Sequence, residues 1–285
     1  MEPDLKEILQ PFLLAQAPPG QEPFESITWA GIQKLASLKN LGHSQSMAAC
    51  LRQGIWPERL RPNKGTLSAG DQVRLLESRV AVLGAGGLGG TAILLLARLG
   101  LGGLNICDSD SFDESNLNRQ FLSSRASLGQ NKADRAAQEV AGINPALEAK
   151  VFAEPAGPGN LPQILAGADV ALDCLDNMPT RYDLEQAAGQ MGIPYVHGAV
   201  AGLEGFVMTV RPGDPGLAGL YGPEPAPKEE AAETVLGVPT MIPAAIATLQ
   251  VNEVVKLLLG QPGLGPGQVL HLDLSGPSLT IMSLA

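Results

Sequence analysis

The stretch Arg79-Val80-Ala81-Val82-Leu83-Gly84-Ala85-Gly86-Gly87-Leu88-Gly89-Gly90 decides how this chain folds. Its first half is a short β-branched apolar run, which reads as a parallel strand buried on both faces, and residues 91–99 read as the helix that follows. Between them, Gly84, Gly86, Gly87 and Gly89 let the backbone turn sharply and come close to a ligand. The free N–H groups of the helix's first turn then point at whatever anion sits there. A glycine turn can also exist only to pack a helix tightly on a strand, so context has to arbitrate. Residues 104–108 supply a second strand ending in an acid, Asp108, at the spacing where such folds hold a ribose hydroxyl. The expectation is a phosphate cradle in a nucleotide site.

Composition narrows the rest. A chain of 285 residues, 45% of them hydrophobic, can bury one sizeable α/β core plus an appendage. The net charge of −10 disfavours a nucleic-acid partner, which would call for clustered Lys and Arg. The opening Met-Glu-Pro-Asp has no basic run ahead of its apolar residues, so no secretory leader is expected. The three cysteines show no Cys-x-x-Cys spacing, which fits a reducing cytoplasm and no disulfide framework. The apolar tract 91–104 contains Arg98 and glycines and reads as a core helix rather than a membrane span.

Residues 1–60 read as a small helical appendage: a helix over 4–14 interrupted at Pro11, a Pro/Gln/Gly linker over 16–23, a helix over 27–38 and a last one through Cys50 and Leu51. Arg59, Arg61 and Lys64 then form the densest positive charge in an acidic chain, a candidate phosphate contact. After Asp108 comes a polar stretch holding Asp110, Asn116, Arg119 and Gln120, residue types that bind phosphate and ribose oxygens. Lys132 opens a helix that runs to Gly142; a lysine suits the positive end of a helix dipole only where it faces an anion. A third strand, 170–174, is followed by Asp176 and Asn177. There an acid either holds Mg²⁺ at the carboxyl end of a parallel strand or caps the next helix. His197, in a further strand, reads as a satisfied core histidine. Residues 212–237 read as a long, mobile crossover loop, 240–259 as an apolar helix, and 269–274 with 278–282 as two closing strands. The fold class is therefore α/β: a Rossmann-like, mainly parallel sheet flanked by helices, with antiparallel strands toward the C-terminal side.

Taken in order, Gly84-x-Gly86-Gly87-Leu-Gly89, Asp108-x-Asp110, Ser115-Asn116-Leu-x-Arg119-Gln120-Phe121, Gly129-x-x-Lys132, Ile143-Asn-Pro145, Asp173-Cys-x-Asp176-Asn177-x-x-x-Arg181 and Gln250-x-x-Glu253-x-x-Lys256 resemble the ThiF/MoeB/HesA family, bacterial relatives of ubiquitin-activating enzymes. The similarity runs from about residue 60 to 260. It implies an ATP-binding adenylyltransferase domain over 61–285 that uses MgATP to adenylate the C-terminal glycine carboxylate of a small ubiquitin-like sulfur-carrier protein, and a homodimer. Carried over, Asp108 would bind ribose, Asn116 and Arg119 the phosphate tail, Lys132 the α-phosphate and Asp176 Mg²⁺. An N-terminal basic residue, Arg59, Arg61 or Lys64, would reach the neighbouring subunit's nucleotide. The family often carries a zinc site of two Cys-x-x-Cys pairs; this chain has no cysteine after Cys174, so no zinc is expected. Three other readings stay open: adenylation of another carboxylate, as in tRNA threonylcarbamoyladenosine dehydratases; nucleotide binding without catalysis; and, weakest, an NAD oxidoreductase.

Overall fold

A computed structural model describes residues 7–17, 19, 22–223 and 235–284. Before residue 60 the structure adds strands to the helices expected from sequence. Strand β1 (Leu13–Gln16) pairs antiparallel with β2 (Phe24–Ile27), and after helices α1 (Trp29–Lys39) and α2 (His43–Arg52) the short β3 (Trp56–Pro57) lies parallel to β2. No helix continues through residue 14, because Pro11 lies in a 3-10 turn, Gln10–Phe12, and the chain then extends to pair with β2. Residues 4–6 of that expected helix, and 18, 20 and 21 of the expected linker, lie outside the described residues. The module closes on its own core of Leu9, Ile27, Ile32, Met47, Leu51 and Trp56, which also takes in Val73 and Leu76 of α3 (Ala69–Glu77). Helix α3 starts at a Ser68–Asp71 capping box, and it fastens the module to the rest of the chain.

Among the described residues, the main sheet has eight strands. In chain order its elements are β4 (Arg79–Leu83), α4 (Gly87–Leu99), β5 (Gly103–Cys107), α5 (Lys132–Ile143), β6 (Glu148–Phe152), α6 (Leu161–Ile164), β7 (Val170–Asp173), α7 (Met178–Met191), β8 (Tyr195–Ala201), β9 (Glu204–Val210), α8 (Gly216–Tyr221), α9 (Met241–Leu259), β10 (Gln268–Asp273) and β11 (Ser278–Ser283). Their spatial order is β11-β10-β9-β8-β7-β4-β5-β6. Strands β6 through β8 run parallel and β8 through β11 antiparallel. The period-two alternation of the opening strand distributes its side chains to two cores. Val80 and Val82 join the side built with α4, α5 and α9, whereas Ala81 and Leu83 join the side built with α6 and α7.

Two elements go beyond the sequence expectation. Strand β6 is an edge strand, with Glu148 and Lys150 exposed, so its apolar signal is diluted. The segment expected as a structureless loop over 212–237 contains helix α8, whose Leu217 N–H is held by the Glu185 carboxylate; residues 224–234 lie outside the described ones. Among the described residues, α9 is the one helix long and apolar enough to cross a membrane, yet Ile242, Ile246 and Val254 are fully buried in the main core. The chain order reverses between β4 and β7, with β5 on one side and β8 on the other. A crevice opens there at the carboxyl ends of the strands.

Candidate nucleotide site

That crevice is a cavity of about 470 Å³, walled by the ends of β4, β5 and β7. The glycines after β4 divide their labour. Gly84 has φ +92°, and a Cβ there would meet the Cys174 carbonyl oxygen at 2.3 Å. Gly89 faces the strand, where a Cβ would lie 1.7 Å from the Gly84 carbonyl oxygen. Both are glycine because of the fold. Gly86 is different: its nearest neighbour is the Gln120 amide at 3.6 Å, so nothing in the packing forbids a side chain. Its missing Cβ leaves open space beside the first turn of α4, where N–H groups await an anion.

Asp108 follows β5. One carboxylate oxygen accepts from Ala85 N–H at 2.6 Å, the other from Asp110 N–H at 2.8 Å. Burial, reinforced by the Asp110 charge, pushes its pKa above the ordinary carboxylate value, against the pull of those N–H groups and of Lys132. Lys132 is the first residue of α5, capped by Asn131, and is only 7% exposed. Its ammonium reaches Asp110 Oδ2 at 3.0 Å on the cavity wall. Arg119 also lines the cavity, steadied by the Ser115 carbonyl at 3.1 Å and Asn118 Oδ1 at 2.8 Å. Gln120, beside Gly86, is buried, and its Oε1 has no partner among the described residues. A bound molecule's donor could satisfy that oxygen.

Of the residues expected from sequence, Gly84, Gly86, Gly87, Asp108, Asp110, Arg119, Gln120, Lys132 and Asp176 are brought together on this cavity; Gly89, Asn116 and Asn177 are not. Asn116 is 5% exposed, and its side chain accepts from Asp113 N–H within a 3-10 turn. Its backbone carbonyl accepts from the N–H groups of Arg119 and Gln120, so it shapes the loop that carries them. Asn177 caps α7, accepting from Thr180 N–H at 3.0 Å, which leaves Asp176 to face the cavity. The cap is therefore Asn177, and Asp176 lies on the cavity wall beside it.

Sequence reasoning misses Glu154, Pro155 and Ala156, which line the cavity just past β6, and gives Arg181 no role although it lines it too. The first three could be found by inspecting the residues immediately past the carboxyl end of every parallel strand. Cys107 and Cys174 border the cavity as well. Burial pushes the Cys107 thiol up to about 12 and Cys174 well above the ordinary thiol value, so neither presents a thiolate. Arg59 donates through Nη2 to the Ile143 carbonyl of its own chain at 3.0 Å, while its buried Nη1 has no partner among the described residues. Arg61 pairs with Glu58 at 2.8 Å, and the Lys64 ammonium stands 4.4 Å from the centre of the Phe24 ring. The residues present fit a nucleoside triphosphate with one divalent cation: an open glycine cradle, a buried amide short of a partner, the cations Arg119, Lys132 and Arg181, a ribose-type acid, and Asp176 as a carboxylate ligand of the kind Mg²⁺ shares with phosphates.

An α/β fold with a glycine cradle at its switch point and cations set around it defines the class. Residues 61–284 match the ThiF family signature, and the chain belongs to that family of E1-like adenylyltransferases. It is 40% identical over 205 residues to the SAMP-activating enzyme E1 of Haloferax volcanii, covering 71% of this chain and 75% of the relative. It is 35% identical over 199 residues to the probable adenylyltransferase/sulfurtransferase MoeZ of Mycobacterium tuberculosis, where the match spans 68% of this chain and about half, 51%, of the relative. Among solved structures, E. coli MccB with AMPCPP and MccA superposes with a TM-score of 0.68 at 17% identity, covering 97% of this chain and 96% of that one. That likeness is one of fold.

Proposed function

We propose that the protein uses MgATP to adenylate the C-terminal glycine carboxylate of a small ubiquitin-like sulfur-carrier protein, releasing pyrophosphate. The observation that carries the reading is the convergence of Arg119, Lys132 and Asp176 on the one cavity that Gly86 leaves open. The names of the Haloferax and Mycobacterium relatives support the same chemistry. In such a reaction a carboxylate oxygen bonds to the α-phosphorus, the bond from that phosphorus to the bridging oxygen of the β-phosphate breaks, and pyrophosphate departs. Negative charge builds on the oxygens around the α-phosphorus, and preorganised cations in a recessed site stabilise it. Lys132 is held at the positive end of α5 by Asp110, an ion pair that a phosphate oxygen can displace. Arg119 offers a planar fork for the phosphate tail, and Asp108 accepts from the ribose hydroxyls. Mg²⁺, held by Asp176, would neutralise the phosphate charge. The protein acts as a homodimer in the cytoplasm, folds without zinc, and stops at the acyl-adenylate, because its thiols are buried and held high; another protein supplies sulfur.

The test is ATP–pyrophosphate exchange with the cognate carrier, a small protein ending in Gly-Gly captured from the same cells. Exchange is expected only when the carrier and Mg²⁺ are both present. Lys132→Ala and Asp176→Ala are each expected to slow it by roughly 10²–10³, the usual worth of one such stabilising group. Exchange at the wild-type rate in either variant overturns the assignment.

A further inference from the structure

Beneath the cavity, at the end of β7, lies a polar cluster that this reaction scheme does not use. Asp173 is fully buried. On its Oδ2 converge the Tyr195 hydroxyl at 2.6 Å, His197 Nδ1 at 2.7 Å and Arg181 Nε at 3.6 Å, while Oδ1 accepts from Leu175 N–H at 2.9 Å. Gln250 Nε2 donates to the Asp173 backbone carbonyl at 2.7 Å. Taking a carboxylate fully out of water costs several kcal/mol even after relaxation, and a hydrophobic residue would fill the space more cheaply. A buried ion pair is better evidence for a fixed geometry than for stability. The geometry held here is visible: the same Arg181 that pairs with Asp173 donates through Nη2 to the Leu175 carbonyl and, at 3.4 Å, to the Gly198 carbonyl. Leu175 is thus gripped at its N–H by Asp173 and at its C=O by Arg181. The next residue is Asp176, and Leu175, Asp176 and Arg181 all line the cavity.

We propose that Asp173 is a positioning residue: locked by His197 and Tyr195, it orients Arg181, and the two together set the Leu175–Asp176 turn so that the Asp176 carboxylate presents to the metal–phosphate group. This inference rests on the assignment of Asp176 made above. The protonation states are consistent with the arrangement. Burial alone would raise Asp173, but the Arg181 charge and the His197 hydrogen bond outweigh it and hold the carboxyl below its ordinary value. Burial lowers His197 despite the pull of Asp173, so the ring is neutral. Its Nδ1–H then donates to Asp173, and Nε2 accepts from the Tyr221 hydroxyl at 2.9 Å, tying the cluster to the C-terminal end of α8.

The experiment is calorimetric binding of Mn²⁺·AMPCPP to the full chain, read beside thermal melting and the kcat and KM of exchange. Asp173→Asn, which keeps the shape and removes the charge, is expected to weaken metal–nucleotide binding about tenfold and to lower kcat more than it raises KM for ATP. His197→Ala is expected to do the same, while His197→Asn, whose amide N–H occupies the place of Nδ1–H, restores binding to within about threefold of wild type. Tyr195→Phe, which removes one hydroxyl, is expected to weaken binding about threefold. It carries the test should the larger changes prevent folding. Variants that melt earlier but bind Mn²⁺·AMPCPP as wild type does would overturn the proposal and leave the cluster a packing device. Asp176→Ala serves as the reference. If it too leaves metal–nucleotide binding unchanged, the assignment of Asp176 has failed, and the role of Asp173 falls with it.

Discussion

At the scale of single residues, the site is governed by which polar groups are left with something to do. Asp176 and Asn177 are adjacent and chemically similar, yet Asn177 accepts from Thr180 N–H as the helix cap, and Asp176 lines the cavity. Sequence carries that choice only as an ambiguity, because a cap and a ligand both call for a short oxygen side chain at the same place. Asn116, off the cavity wall, holds the turn that carries Arg119. For Asp108 the environment makes a sharper forecast. Burial raises its pKa, and only the ionised form can accept the two N–H groups and the sugar hydroxyls together. Nucleotide affinity should therefore be complete above the raised pKa and decline as pH falls through it, starting at a higher pH than an ordinary aspartate, near about 3.9, would set. Titrating AMPCPP binding against pH should show that decline, and Asp108→Asn should bind at least tenfold more weakly with the acid limb gone. An unchanged limb in Asp108→Asn would assign the titration elsewhere. The thiols lead to a companion forecast: a triple Cys50/Cys107/Cys174→Ala variant should still support exchange, since burial pushes Cys50 to about 11 and Cys107 to about 12. A reducible carrier adduct that vanishes in that variant would contradict the chemistry proposed above.

Among the secondary-structure elements, legibility tracks burial. Strands β4, β5 and β7 are buried along nearly their whole length and announce themselves as apolar runs, and β8 and β9 are largely buried as well; β11, exposed throughout, is the exception. Strand β6 escapes a sequence reading because, at the edge of its sheet, it is free to carry charge, and β1 escapes because Leu13-Leu14-Ala15-Gln16 has the composition of a helix and becomes a strand only through its partner β2. The glycine turn before α4 is legible as a motif, but not in its division of labour, which depends on backbone atoms brought near from elsewhere in the fold. Two substitutions separate those roles. Gly89→Ala drives a methyl into the Gly84 carbonyl and should destabilise the protein by about 1–3 kcal/mol, as overpacking does. Gly86→Ala meets only the Gln120 amide at ordinary contact distance, so it should melt with the wild type while losing tenfold or more in AMPCPP affinity. Thermal melts and binding isotherms on the same samples decide it. Equal melting of the two variants would mean that the turn is plastic, and that close approach does not explain why Gly89 is glycine.

For the molecule as a whole, the N-terminal module is the part whose purpose is least legible. It has its own core, and it meets the nucleotide domain through α3, at the edge of which lies the basic run from Arg59 to Lys64. These residues do not line the chain's own cavity. The structure sorts the three candidates. Arg59 is half-buried and donates to Ile143 of the same chain, so removing it should cost stability. Arg61 is 41% exposed in its side chain, and its surface ion pair with Glu58 is of a kind worth at most about 1 kcal/mol, so it can be given up to a phosphate. Lys64, resting on Phe24, is similarly releasable. If the active species is a dimer sharing its sites, Arg61→Ala or Lys64→Ala should lower exchange at least tenfold without changing the melting temperature. Mixing that variant with Asp176→Ala should then return activity, since one of the two cavities in each heterodimer combines an intact Asp176 with an intact basic residue from its neighbour. The recovered rate should approach half that of the wild-type dimer when heterodimers are isolated by dual tags. Isolated heterodimers with no more activity than the parent variants would show that each subunit completes its own site, and that the basic run serves another purpose.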